Sequence, residues 1–120
     1  MKKVLMATAA AALTAGTAIA GSHSGEIKIG VILGFTGPLE TITPSMGLGA
    51  ELAMKEVTAS GKLLDGATVT PVRGDSTCID AAAATAAAER LITSDKVDAI
   101  MGADCSGVTG AILQLSLIHI

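Results

Sequence analysis

Val97-Asp98-Ala99-Ile100-Met101, running into Gly102-Ala103-Asp104-Cys105-Ser106-Gly107-Val108-Thr109, is the stretch on which the fold turns. The largely apolar run reads as a buried strand, Val97 to Gly102, and Gly110-Ala111-Ile112-Leu113 beyond it begins a helix. A strand that turns through small residues into a helix leaves backbone N–H groups without partners, aimed into a crevice. The hydroxyl of Ser106 stands beside them, so the turn is expected to accept an anion, and the carboxylate of a small ligand fits that description.

Upstream the same arrangement occurs twice more. Asp95-Lys96 turn the chain into the strand from a very Ala-rich helix, which Asp80 caps and which runs to about Ser94. Ala84, Ala87, Ala88 and Leu91 form its inner stripe, and alanine is the best helix former. Before it, Ala67 to Gly74 reads as a strand placed at the sheet edge, because Pro71 cannot donate a ladder hydrogen bond. That strand ends at Asp75-Ser76-Thr77-Cys78. Further back, Thr43 before Pro44 reads as an N-cap with proline at the first helical position, opening a helix to Ser60 that Gly61 stops. Met46, Ala50, Ala53 and Val57 fall on one face of it, with the methionines as core filler. Glu26 to Leu33 begins in alternation and turns wholly apolar, which suits a strand in the middle of a parallel sheet. It ends in Gly34-Phe35-Thr36-Gly37-Pro38, where Gly34 and Gly37 serve turn geometry.

Three strand-to-helix units in succession predict an α/β chain, the start of a doubly wound parallel sheet with right-handed crossovers. In such sheets ligands bind outside the carboxyl ends of the strands, where the strand order reverses. The segments Phe35 to Pro38, Asp75 to Cys78 and Ala103 to Ser106 are expected to meet there.

Composition removes several alternatives. The chain has 120 residues, enough for at most one modest domain. Met1-Lys2-Lys3, an apolar Ala-rich run from Val4 to Ile19 and Ala18-Ile19-Ala20 together read as a secretory signal peptide over residues 1–20. Residues 21–25 then form a flexible leader, and the mature chain is expected to be exported in soluble form. Removing Lys2 and Lys3 leaves six basic residues against eleven acidic, a net charge of −5, which argues against nucleic acid and anionic membrane. Phe35 is the only aromatic residue, so base-stacking platforms are absent. Glycines at 30, 34 and 37 do not match a dinucleotide-binding spacing, and no phosphate-binding loop follows. The two histidines, His23 and His119, offer no metal-ligand spacing, and no cofactor is implied. The two cysteines of an exported chain are permitted to pair.

Ile27-Lys28-Ile29-Gly30-Val31, Thr36-Gly37-Pro38, Gly49-Ala50-Glu51-Leu52-Ala53, Asp75-Ser76-Thr77-Cys78 and Gly102-Ala103-Asp104-Cys105-Ser106, in that order after a signal peptide, resemble the N-terminal part of periplasmic branched-chain amino-acid binding proteins. The resemblance covers roughly residues 26–114 and lies in the ordered set rather than in one motif. It implies the first lobe of a two-lobe type I periplasmic binding fold, here truncated. It also implies a monomer that delivers an amino acid to the permease of an ABC transporter. Ser106 matches the serine that binds the ligand α-carboxylate in that family, and Cys78 and Cys105 match its disulfide. Ser106, Cys105, Asp104 and Thr36 are thus the candidate ligand-binding residues, although Asp104 by itself reads as a solvated loop residue. Ile42 falls near the position of the family's loop aromatic.

Two other functions share parts of this pattern. A receptor sensor domain uses the same lobe. A serine hydrolase with Ser106 as nucleophile would want Gly-x-Ser-x-Gly, but Asp104 and Val108 occupy the glycine positions. After Gln114 the sequence changes character, and residues 115–120 read either as a further turn of the third helix or as foreign sequence at the end of a truncated frame.

Overall fold

The computed structural model describes residues 25–119, so the signal peptide and all but the last residue of the leader lie outside the described residues. Three strands, β1 (Glu26–Leu33), β2 (Thr68–Asp75) and β3 (Ala99–Gly102), alternate with three helices, α1 (Thr43–Ser60), α2 (Ala81–Thr93) and α3 (Ser106–His119). The strands form one sheet in the order β2-β1-β3, with both pairings parallel. β1 is central, as its apolar second half requires: Val31 and Ile32 are fully buried. β2 is an edge strand, and Pro71 sits in it opposite Ile29, where a missing donor is tolerated.

The two faces of the sheet are covered separately. Val31 and Leu33 pack with Met54 of α1 on one face, while Ile32 packs with Ala88 and Leu91 of α2 and Leu115 of α3 on the other. The path from β1 to β2 and the path from β2 across to β3 run in opposite directions, so helices on opposite faces mean that both crossovers share one hand. This is the doubly wound arrangement.

α2 forms as the sequence implies. The Asp80 carboxylate accepts from the N–H groups of Ala82 and Ala83, and Ala84, Ala88 and Leu91 are buried. Leu91 reaches the sheet where it carries no side chains: a Cβ on Gly30 or on Gly74 would stand 3.0 Å from its Cδ1.

Four expectations are corrected. α1 buries Thr43, Gly47 and Met54, with Ala50 half-buried, whereas Met46 and Val57 are exposed, so the inner stripe is rotated from Met46, Ala50, Ala53 and Val57. The cause is that small and polar residues face the sheet here. The Phe35 ring lies against Gly47, and the Thr43 hydroxyl donates to the carbonyl of Gly34 at 2.7 Å. Thr43 is therefore the first helical residue and an anchor to β1 rather than an N-cap; Ile42 holds the cap position without a side-chain bond. β3 is shorter than expected, because Val97 and Asp98 are occupied by the approach, their N–H groups donating to Leu91 and Lys28 carbonyls. Finally, α3 starts at Ser106 rather than at Gly110. Gly107 and Gly110 in its first turns disguise a helix whose start is held by Cys105.

Candidate functional site

The strand order reverses beside β1, so the loops after β1 and β3 flank the switch point of the sheet, with the loop after β2 next to them. All three expected segments converge there, and backbone approach closes them together. Gly37 has φ 90°, and a Cβ on it would lie 2.7 Å from the Thr77 carbonyl oxygen. Its glycine thus serves close packing of two loops as well as turn geometry.

A disulfide joins Cys78 after β2 to Cys105 after β3, with the Cα atoms 5.3 Å apart. Two carboxylates add further ties. Asp75 accepts from the Thr36 hydroxyl at 2.6 Å and from the backbone N–H groups of Thr77 at 2.9 Å and Thr36 at 3.3 Å. Partial burial pushes this carboxyl up, but the Thr36 hydroxyl and the N–H groups of Thr77 and Thr36 outweigh it and hold Asp75 below its ordinary value. Asp104 accepts the Gly34 N–H on both oxygens, at 3.1 and 3.2 Å, and lies 3.5 Å from the buried Ser76 hydroxyl. Asp104 is accordingly a half-buried tie to the central strand and not a solvated loop residue. Sequence reasoning missed both tying roles, because bonds to donors 39 residues away, as from Asp75 to Thr36, or 70 residues away, as from Asp104 to Gly34, leave no local pattern.

Ser106 is exposed as the first residue of α3, and the N–H of Thr109 already bonds the Cys105 carbonyl at 3.0 Å. The N–H groups before Thr109 are those that a helix cannot satisfy internally, and they carry the positive end of its dipole. The space where a Gly107 side chain would be is open. An anion placed here meets a hydroxyl and free N–H donors. Thr36 stands on the neighbouring loop with its hydroxyl given to Asp75. Ile42 is exposed at the start of α1.

The loop before α1 is braced from outside. Arg73 of β2 pairs with Glu51 of α1, and its guanidinium lies 5.0 Å from the centroid of the Phe35 ring. The hydrogen bond from Arg73 lowers Glu51 and raises Arg73 from their ordinary values. A separate hollow of about 390 Å³ runs beside β3, lined mainly by Ile92, Val97, Ile100, Ile112, Leu113 and Leu115. It is a mostly apolar trough where the sheet stops, and Gly102, Ala103 and Thr109, on either side of Ser106 in the chain, line it too.

Ser106 and His119 are the first and last residues of α3, so their backbone positions lie about 20 Å apart along the helix axis. Among the described residues no group of His, Cys, Asp and Glu side chains is arranged to hold a metal ion.

Residues 26–116 match the family model described as Periplasmic binding protein. The chain belongs to the periplasmic binding protein family. It is 38% identical over 116 residues to the Leu/Ile/Val-binding protein homolog 7 of Brucella abortus, covering 97% of this chain. The match covers 28% of that relative, so the chain spans little more than a quarter of its length. Among solved structures it is similar to the branched-chain amino acid transporter substrate binding protein LivJ from Streptococcus pneumoniae in complex with isoleucine. There the TM-score is 0.69 at 31% identity, over 78% of this chain and 26% of the other. An ABC transporter solute binding protein from R. palustris in complex with 4-hydroxybenzoate gives a TM-score of 0.62 at 29% identity, over 78% of this chain and 24% of the other. Members of this periplasmic binding protein family are solute-binding proteins, and membership implies an extracytoplasmic location, where a disulfide persists.

Proposed function

We propose that residues 26–114 form the first part of one lobe of a longer solute-binding protein. Residues 1–20 export it as a cleavable signal peptide, and it works as a monomer. It hands an amino acid, branched-chain or similarly small and aliphatic, or a related small carboxylate, to the membrane permease of an ABC transporter. The observation that carries this reading is Ser106, exposed at the free start of α3 beside the switch point of the sheet. A carboxylate held there takes the Ser106 hydroxyl and the first N–H groups of the helix, and both interactions strengthen as water leaves the cleft. Cys105, Asp104 and Thr36 complete the wall around it.

Relatives support a carboxylate as the common group. Isoleucine and 4-hydroxybenzoate, bound by two similar proteins, share little else. An amino-acid zwitterion also needs an acceptor for its ammonium, since a buried charge without a partner is costly. Asp75 and Asp104 already spend acceptor positions on the protein's own donors, so that acceptor belongs to the part of the protein that faces this wall.

Titration calorimetry on the full-length protein with leucine, isoleucine, valine and 4-hydroxybenzoate tests the function. A dissociation constant in the micromolar range or below for at least one of them is expected. Absence of binding heat with all four rejects the reading.

A further inference from the structure

Gly34 is the node on which the cleft wall hangs. It follows the last residue of the central strand, and its carbonyl accepts the buried Thr43 hydroxyl at the start of α1. A Cβ at Gly34 would stand 3.1 Å from that of Cys78 after β2. Its N–H goes to Asp104 after β3, shared between both carboxylate oxygens. Only three residues separate β3 from α3, and Asp104 is the middle one. Cys105 beside it is tied to Cys78. The start of α3 is therefore fixed at two adjacent residues, one by a covalent bond to the edge strand's loop and one by a hydrogen bond to the central strand.

A carboxylate beside an anion site would ordinarily work against it, because like charges disfavour one another at short range. Here the oxygens of Asp104 face the Gly34 N–H and the buried Ser76 hydroxyl, both on the protein side. The donors of Ser106 and of the helix start stay free for a ligand.

Resting on the function proposed above, we propose that Asp104 is a positioning residue for the carboxylate site. Its carboxylate binds the Gly34 N–H and so sets where Ser106 and the first turn of α3 stand relative to β1, without touching the ligand. What the site needs from residue 104 is an acceptor oxygen, not a charge. Asparagine supplies one, and its amide can donate to Ser76; leucine supplies none and leaves the half-buried Gly34 N–H without a partner.

The test is leucine titration of the full-length protein as parent, D104N and D104L, each at a temperature where it is fully folded. D104L should weaken binding at least tenfold, and D104N should restore affinity to within about threefold of the parent. Equal losses in both variants would make the charge itself a ligand contact and overturn the proposal. A loss of less than tenfold in D104L would reduce Asp104 to a stabilising tie and overturn it as well. If D104L does not fold, D104N decides by NMR. The Gly34 amide, bonded to residue 104, and the Thr109 amide, bonded across the first turn of α3, should keep the parent's hydrogen-exchange protection; loss of protection at either, or an affinity loss beyond threefold, contradicts the proposal. If the parent binds no leucine, that comparison of amide protection still reads the coupling, so failure of the function and failure of the positioning role remain separate results.

Discussion

Asp75 shows how one side chain serves two loops. Its carboxylate joins Thr36 after β1 to Thr77 after β2, and those donors hold it ionised below its ordinary value. A carboxyl whose folded-state pKa is depressed stabilises the fold fully above its unfolded value, about 3.8. That stabilisation is lost as the pH falls through the lower folded value. The parent should therefore melt above Asp75→Asn at neutral pH, with the gap closing as the pH is taken from about 4 toward 2. Melting temperatures across that range check it, and a gap independent of pH would contradict the assignment. At this scale the sequence was informative about residue types and silent about partners. Asp80 was legible because a cap acts three residues away, whereas Asp75 and Asp104 act across 39 and 70 residues.

Among the elements, those whose burial is apolar were legible, and those whose burial is not apolar misled. The alternating-then-apolar run of β1, the proline in β2 and the alanine stripe of α2 each carry a strong local signal. α1 meets the sheet through Met54, but its first turns bury Thr43 and Gly47 against the loop after β1, which no hydrophobic period marks, and α3 begins among glycines that read as a loop. The disulfide sets the relation between two such elements. It closes a 27-residue separation, for which the chain-entropy model gives about 3 to 4 kcal/mol of stabilisation. Replacing both Cys78 and Cys105 by alanine should lower stability by about that amount in denaturant titration. A change below about 1 kcal/mol would show that the carboxylate ties at Asp75 and Asp104 hold the loops without it.

The molecule as a whole reads as a part of something larger. The outer edges of β2 and β3 have no strand partner among the described residues, and Leu48, Leu52, Met101 and Leu113 are exposed. Open edges and exposed apolar side chains make a three-stranded sheet a poor isolated fold. Residues 21–120 alone should therefore be marginally stable and give no measurable heat with leucine; micromolar binding by that piece would contradict the need for a second wall. The central claim is narrower, that Ser106 holds the ligand carboxylate. Its most direct measurement is leucine affinity in the full-length protein with Ser106→Ala against the parent, with melting temperatures taken alongside. A loss of tenfold or more, equivalent to about 1.4 kcal/mol, with melting within a few degrees of the parent is the predicted result. Unchanged affinity in a folded S106A protein would contradict it.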